Sequence, residues 1–127
     1  MRGNRGFTLL ELVVVIIIIG ILASLGLTQY GKVVERGRQA EAKMILGQIR
    51  SAQEAQKLET GSYATNMTAL GVGAPTDCTA THYFKYSIGA AKATATRCTT
   101  GGKTPSYSGT TYTVTLTYAG GVFSTTY

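Results

Sequence analysis

The chain of 127 residues has little of the chemistry that an enzyme needs. His82 is its one histidine, and Asp77 is the only acidic residue after position 59. General acid–base work therefore has no carboxylate pair in that region, and the sequence indicates no Ser/His/Asp set. We expect no catalytic residues and no cofactor, and we interpret His82 as a structural or solvated residue.

Proline is also scarce, and none occurs before Pro75. Because proline breaks a helix interior, the first half of the chain is free to form one long helix. We predict a helix from about residue 8 to residue 58. Five glycines in this stretch lower its intrinsic stability and favour bending.

Charge is nearly missing from residues 7–27, where Glu11 is the only charged side chain. As a helix, this stretch would span about 31 Å, enough to cross a bilayer. A carboxylate costs about 2.5–3.5 kcal/mol at the centre of a membrane helix and less near its end. We therefore expect a favourable interaction that compensates for the cost of placing the Glu11 carboxylate in this helix. A secretory signal peptide fits poorly, because Glu11 interrupts the approach to the apolar core and no A-x-A site follows.

The segment Gly6-Phe7-Thr8-Leu9-Leu10-Glu11, with Arg2 and Arg5 before it, resembles the class III signal of the type IV pilin family. That family includes pilins and secretion pseudopilins, and the resemblance covers residues 1–59. It implies that residues 1–6 are a leader peptide, which a prepilin peptidase removes between Gly6 and Phe7. It also implies that Phe7 is N-methylated, and that Glu11 meets the amino terminus at Phe7 of a neighbouring subunit and sets the register of assembly.

Residues 28–59 are amphipathic. Apolar side chains recur at helical spacing and predict a stripe of Ala42, Ile45, Leu46, Ile49, Ala52, Ala55 and Leu58. We read residues 7–27 as the transmembrane and filament-core half of the helix and residues 28–59 as its amphipathic half. Coiled coil is disfavoured, since no strict heptad repeats.

Residues 60–127 form a polar domain with alternating patterns typical of strands. We predict strands at 83–88, 93–97, 111–118 and 122–125, a turn at 119–121 and a loop from Gly101 to Gly109. We expect the fold class to be α+β, and the resemblance implies the pilin fold, a long N-terminal helix packed on a small three- to four-stranded antiparallel sheet. Tyr63 and Leu70 are expected to pin the connecting loop onto the helix.

The two cysteines, Cys78 and Cys98, lie in the part expected outside the membrane. In an oxidising compartment they would pair, and we expect a disulfide. Two free thiols, or an incomplete metal site, are the alternatives. We predict no metal site, because two cysteines and His82 make a poor zinc site and Asp77 alone is too little for calcium.

The resemblance implies a structural subunit of a type IV pilus. A secretion or competence pseudopilin is the alternative within the family, and an anchored binding domain that never polymerises is the alternative outside it. Expected partners are other pilin subunits, the prepilin peptidase, and the assembly platform with its ATPase. The precursor is expected in the inner membrane as a single-pass protein, and the mature protein in an extracellular filament. The net charge of +6 falls to +4 without the leader, which is too little and too dispersed to indicate direct nucleic-acid binding.

Overall fold

The computed structural model describes residue 3, residues 6–104 and residues 111–127. Most of the expected leader and the second part of the expected loop (residues 105–110) lie outside the described residues. The elements in chain order are α1 (Leu9–Thr60), a 3-10 helix (Met67–Leu70), β1 (Phe84–Ile88), β2 (Lys92–Arg97), β3 (Thr113–Thr117) and β4 (Phe123–Thr126). The chain divides into two compact units, Met1–Val34 and Glu35–Tyr127.

The long helix is confirmed, and its C-terminal end follows from one glycine. Gly61 adopts the left-handed conformation, with φ of 81°, and its N–H donates to the carbonyl of Lys57 at 2.8 Å. Glycine pays no steric penalty there, so α1 ends at Thr60 with one of its last carbonyls satisfied.

In the second unit, α1 buries one face, but not the whole stripe that the sequence predicts. Its buried residues are Gln39, Ala42, Ile45, Leu46, Ile49 and Gln53. Ala55 and Leu58 are exposed, and Leu58 is 89% accessible. The expected stripe was therefore too long. The buried face of α1 ends at Gln53, whose side chain is hydrogen-bonded to Ala64 in the segment after the helix.

The sheet is an antiparallel meander of four strands in the order β1-β2-β3-β4. The observed strands differ from the predicted ones by one or two residues at their ends. The predicted sides are correct: Phe84 and Tyr86 on β1 and Val114 and Leu116 on β3 are all buried. The predicted antiparallel sheet on a long helix is thus confirmed.

The core lies between this face of the sheet and α1. It contains Leu46 and Ile49 from the helix, and Phe84 and Tyr112 from the sheet side, with ring centroids 5.8 Å apart in an edge-to-face arrangement. Such pairs add to the free energy gained by burying apolar area, about 25 cal/mol per Å². A small domain of this kind gains much of its stability from the helix.

Candidate functional site

The carboxylate of Glu11 closes a capping box at the start of α1. Its Oε2 accepts hydrogen bonds from the backbone N–H and the hydroxyl of Thr8, both at 2.8 Å. In return, the backbone N–H of Glu11 donates to Thr8 Oγ1 at 3.2 Å. The pair thus satisfies donors that a helix terminus leaves without partners. The Thr-x-x-Glu spacing of Thr8 and Glu11 is the sequence signature of this motif.

Around Glu11, the first unit presents apolar surface without cover from its own chain. Every residue from 6 to 30 is exposed, including Phe7 at 93% and Ile16 at 58%. α1 is long and apolar enough to cross a membrane by length and composition. Burying such a surface is favourable in proportion to its area, so it calls for lipid or for other apolar helices as its surroundings.

The expected cleavage site lies just before α1. Gly6 and Phe7 are outside the helix and both are exposed. A backbone outside regular structure can enter a protease cleft without first unfolding a helix. The Gly6–Phe7 bond is thus accessible in this chain.

In the second unit, an ion pair between a buried arginine and a partly buried glutamate joins α1 to the sheet. Arg97 at the end of β2 has a fully buried side chain, and its Nε donates to Glu35 Oε1 on α1 at 2.5 Å. The hydroxyl of Tyr112 donates to the same oxygen at 2.8 Å, and Arg38 donates to the other oxygen at 2.9 Å. Burial raises the pKa of Glu35, but the hydrogen bonds from Arg97 and Tyr112 and the charge of Arg97 outweigh it, so that the pKa is lowered overall.

The disulfide between Cys78 and Cys98 is present, as expected. It joins the segment before β1 to the residue that follows β2, and the two Cα atoms are 5.8 Å apart. Arg97 extends this junction, because its guanidinium also donates to the carbonyls of Tyr83, Cys98 and Thr104. The disulfide and the ion pair thus fix the same corner of the domain.

A second polar junction holds the chain that follows α1. Gln53 is fully buried, its Oε1 accepts from the N–H of Ala64 at 2.7 Å, and its Nε2 donates to the carbonyl of Ala64 at 3.0 Å. Tyr63 packs on Tyr118 with ring centroids 4.7 Å apart and donates to Glu54 at 3.1 Å. The expected role of Tyr63 as a pin is confirmed. Gln53 was missed, because a glutamine on a helix is usually solvated.

Catalytic and metal-binding groups are sparse in the described residues. His82 is half-buried, and its Nδ1 lies 2.8 Å from the hydroxyl of the adjacent Thr81. Among residues 3, 6–104 and 111–127, no group of three or more His, Cys, Asp or Glu side chains could hold a metal ion. The groups that stand out are therefore Glu11 in the apolar helix and the Glu35–Arg97 pair.

A long N-terminal helix with an exposed apolar half, continuing into a half that packs on an antiparallel sheet, defines the pilin class of proteins. The chain belongs to the type IV pilin-like G and H family, whose profile matches residues 39–127. A prokaryotic N-terminal methylation motif matches residues 1–27. The two matches cover both parts of the chain.

Curated relatives carry pilin and fimbrial names. A fimbrial protein of Neisseria meningitidis is 38% identical over 74 residues, which are 58% of this chain and 44% of the relative. The type IV major pilin protein PilA of Myxococcus xanthus is 40% identical over 68 residues, or 54% of this chain and 31% of the relative. The type IV major pilin protein PilE1 of Neisseria gonorrhoeae is 38% identical over 72 residues, or 57% and 44%. The chain thus spans less than half the length of these relatives.

Proposed function

We propose that this protein is a structural subunit of a type IV pilus filament. The observation that carries the proposal is the exposed apolar half of α1, with Glu11 as its one charged side chain. Family membership and the pilin names of the relatives support the same function. In this proposal the apolar helices of many copies pack together as the core of the fibre.

Processing prepares the chain for assembly. The prepilin peptidase removes residues 1–6 by cutting the Gly6–Phe7 bond, and the new amino terminus at Phe7 is N-methylated. The exposed position of this bond and the match to the methylation motif support this step. The precursor is held in the inner membrane by residues 7–27, and the assembly platform and its ATPase transfer it to an extracellular fibre.

The ammonium group at Phe7 of one subunit then pairs with the carboxylate of Glu11 in its neighbour. Charges attract strongly in low dielectric, but a charge left there without a partner is costly. The pair therefore acts as a check on register. Most of the cohesion comes from burying Leu, Val and Ile side chains, at about 25 cal/mol per Å².

Two features favour a pilin over a secretion pseudopilin. By the family resemblance, major secretion pseudopilins hold calcium with several acidic residues of a C-terminal loop. Residues 60–127 of this chain contain one acidic residue, Asp77, whereas calcium takes six to eight oxygen ligands. The same region is held by the Cys78–Cys98 disulfide, a device that the family resemblance associates with pilins.

The capping box and the register role of Glu11 can be separated by two substitutions. Glu11→Gln keeps a side chain that can close the capping box but removes the charge. Thr8→Ala removes the cap but keeps the charge. We expect Glu11→Gln to be inserted and cleaved but to form no fibres, and Thr8→Ala to form fibres. The measurement is electron microscopy of sheared surface material, with mass spectrometry of the amino terminus.

The control is Glu59→Gln, which alters an exposed acid on the same helix and should leave fibres unchanged. Normal fibres from Glu11→Gln would refute the register role. Loss of fibres from Thr8→Ala alone would assign Glu11 to the cap rather than to assembly. An uncut Gly6–Phe7 bond in the wild-type chain would contradict the proposed function itself.

A further inference from the structure

The face of the sheet turned away from α1 carries a regular array of hydroxyl groups. We call it the hydroxyl face and define it by Thr94 and Thr96 on β2, Thr113 and Thr115 on β3, and Ser124 and Thr126 on β4. Alternate residues of a strand point to opposite faces, and the intervening Ala93, Ala95, Val114 and Leu116 are buried against α1.

The strand register aligns these residues into two rows. Thr96 pairs with Thr113, which pairs with Thr126, and Thr94 pairs with Thr115, which pairs with Ser124. Neighbouring strands lie about 4.8 Å apart, and alternate residues along a strand lie about 7 Å apart. The rows thus form a lattice of hydroxyls with two fixed spacings.

The hydroxyls on the two central strands are not used by the fold. Within the described part of the chain, the side chains of Thr94, Thr96, Thr113 and Thr115 form no hydrogen bond. Each hydroxyl can donate one hydrogen bond and accept two. Threonine suits a strand because it is β-branched, but valine would suit it equally well, so strand propensity alone does not explain the hydroxyls.

The charge beside the hydroxyl face is of one sign. Lys85 on β1 pairs with Thr96, and Lys92 on β2 pairs with Thr117; both lysines are exposed. The four strands contain no acidic residue. This arrangement is complementary to an anionic partner.

The chemistry of the face also limits the kind of partner. None of its six defining residues is aromatic or aliphatic, whereas the centre of a stable protein–protein interface is rich in aromatic side chains. A lipid surface would likewise need apolar side chains to insert. Hydrogen bonds and charge must supply the affinity here.

We propose that the hydroxyl face, with Lys85 and Lys92, binds an acidic polysaccharide. Carboxylates of the sugar residues pair with the two lysines, and the threonine hydroxyls exchange hydrogen bonds with sugar hydroxyls. This activity is separate from filament assembly, because it uses the sheet and not the apolar helix. Where copies assemble, the face is repeated, and the effective affinity for a long polymer rises by multivalency.

The test is isothermal titration of the full chain in detergent micelles with an oligogalacturonate, and with a neutral maltooligosaccharide of the same length. We expect saturable binding of the acidic oligosaccharide that weakens with salt, and none of the neutral one. Lys85→Gln with Lys92→Gln should weaken binding about tenfold. Thr94→Val with Thr115→Val should keep the strands and weaken binding at least about threefold.

Matched controls lie off the face. Lys43→Gln changes an exposed lysine on α1, and Thr100→Val changes an exposed threonine outside the strands; both should bind like the wild type. Unchanged affinity in the face variants would overturn the proposal, as would equal binding of the neutral oligosaccharide. Equally tight binding of a DNA oligomer of the same charge would also overturn it, because charge alone would then explain the binding. Fibre formation by both double variants is expected, and its loss would assign the face to subunit contacts instead.

Discussion

Two glutamates of α1 show how differently this chain satisfies a carboxylate. Glu11 accepts from its own helix terminus at Thr8 and is exposed in the single chain. Glu35 accepts hydrogen bonds from the buried Arg97 and from Tyr112. Glu35 therefore contributes to the stability of the folded domain, whereas the value of Glu11 to a polymer depends on what a neighbouring copy brings to it.

The contribution of Glu35 depends on pH. Its pKa is lowered from the ordinary value of 4.5, so the unfolded chain binds the proton more tightly. The stability that Glu35 supplies is thus fully present above pH 4.5 and is lost as the pH falls through the lowered pKa. We expect Glu35→Gln to cost about 3 kcal/mol at pH 7 and to flatten the fall in stability below about pH 5. Urea unfolding of the full chain in micelles between pH 3 and pH 7 measures both.

The control for this prediction is Glu59→Gln, at an exposed position of the same helix, which should shift the whole curve by less than about 0.5 kcal/mol. A Glu35→Gln protein whose stability falls with acid as steeply as the wild type would show that other groups govern the acid response.

Gly102 lies beside the disulfide, where there is no room for a side chain, although its backbone conformation would allow one. A Cβ at this position would lie 2.5 Å from Cβ of Cys98, closer than packed carbons allow. We expect Gly102→Ala to destabilise the domain by about 1–3 kcal/mol through overpacking, measured as a lower midpoint of unfolding. Gly73→Ala, where nothing lies within 4 Å, should be neutral. Equal stability of the two variants would mean that the loop moves aside without cost.

Single residues were the hardest feature to predict from the sequence. The cysteine pair was predictable because two cysteines allow one intramolecular bond. The role of Arg97 was not, since a buried arginine depends on a partner 62 positions earlier, Glu35, which no local pattern identifies. Gln53 was missed for the same reason, because its partner at Ala64 is reached only after the chain reverses.

At the scale of elements, α1 combines two kinds of surface in one helix. In the first unit, its side chains from Leu9 to Tyr30 are exposed and almost all apolar or small. In the second unit, a narrow face is buried and most of the remaining side chains are charged or polar. Hydrophobic periodicity predicted both halves, because a surface exposed to lipid or other helices is apolar all round, whereas a helix on a sheet is apolar on one side.

The end of the buried face gives a direct comparison of two apolar residues on α1. Ile49 is fully buried, whereas Leu58 is 89% exposed. Ile49→Ala should cost about 2–5 kcal/mol because it leaves a cavity in the core, and Leu58→Ala should cost less than about 0.5 kcal/mol. Urea unfolding of both variants checks the difference. Similar losses would mean that Leu58 packs against protein after all.

The strands were predictable for a different reason. The buried side chains of β1 and β3 alternate with polar ones, and alternation identifies a half-buried strand. The short 3-10 helix Met67–Leu70 was missed. Its start depends on the Asn66 side chain, which accepts from the N–H of Thr68, and its end on Gly71 in the left-handed conformation. A helix of a single turn is too short to show a repeating pattern of apolar residues in the sequence.

At the scale of the whole molecule, the two units differ in how much of their apolar surface they bury. The second unit has its own core, its disulfide and its ion pair, so it buries many of its apolar side chains within itself. The first unit buries almost none of its apolar surface within the chain. The apolar surface of the first unit therefore needs lipid or other copies of the chain to cover it, and in the proposed function a fibre would supply those copies.

The most direct test of this account is an electron cryomicroscopy map of the assembled fibre at a resolution that shows side chains. We predict that residues 7–27 form the fibre core, and that the carboxylate of Glu11 lies within about 4 Å of the amino group of Phe7 in a neighbouring subunit. A map in which Glu11 faces solvent, or binds Thr8 alone with no cationic group nearby, would contradict it.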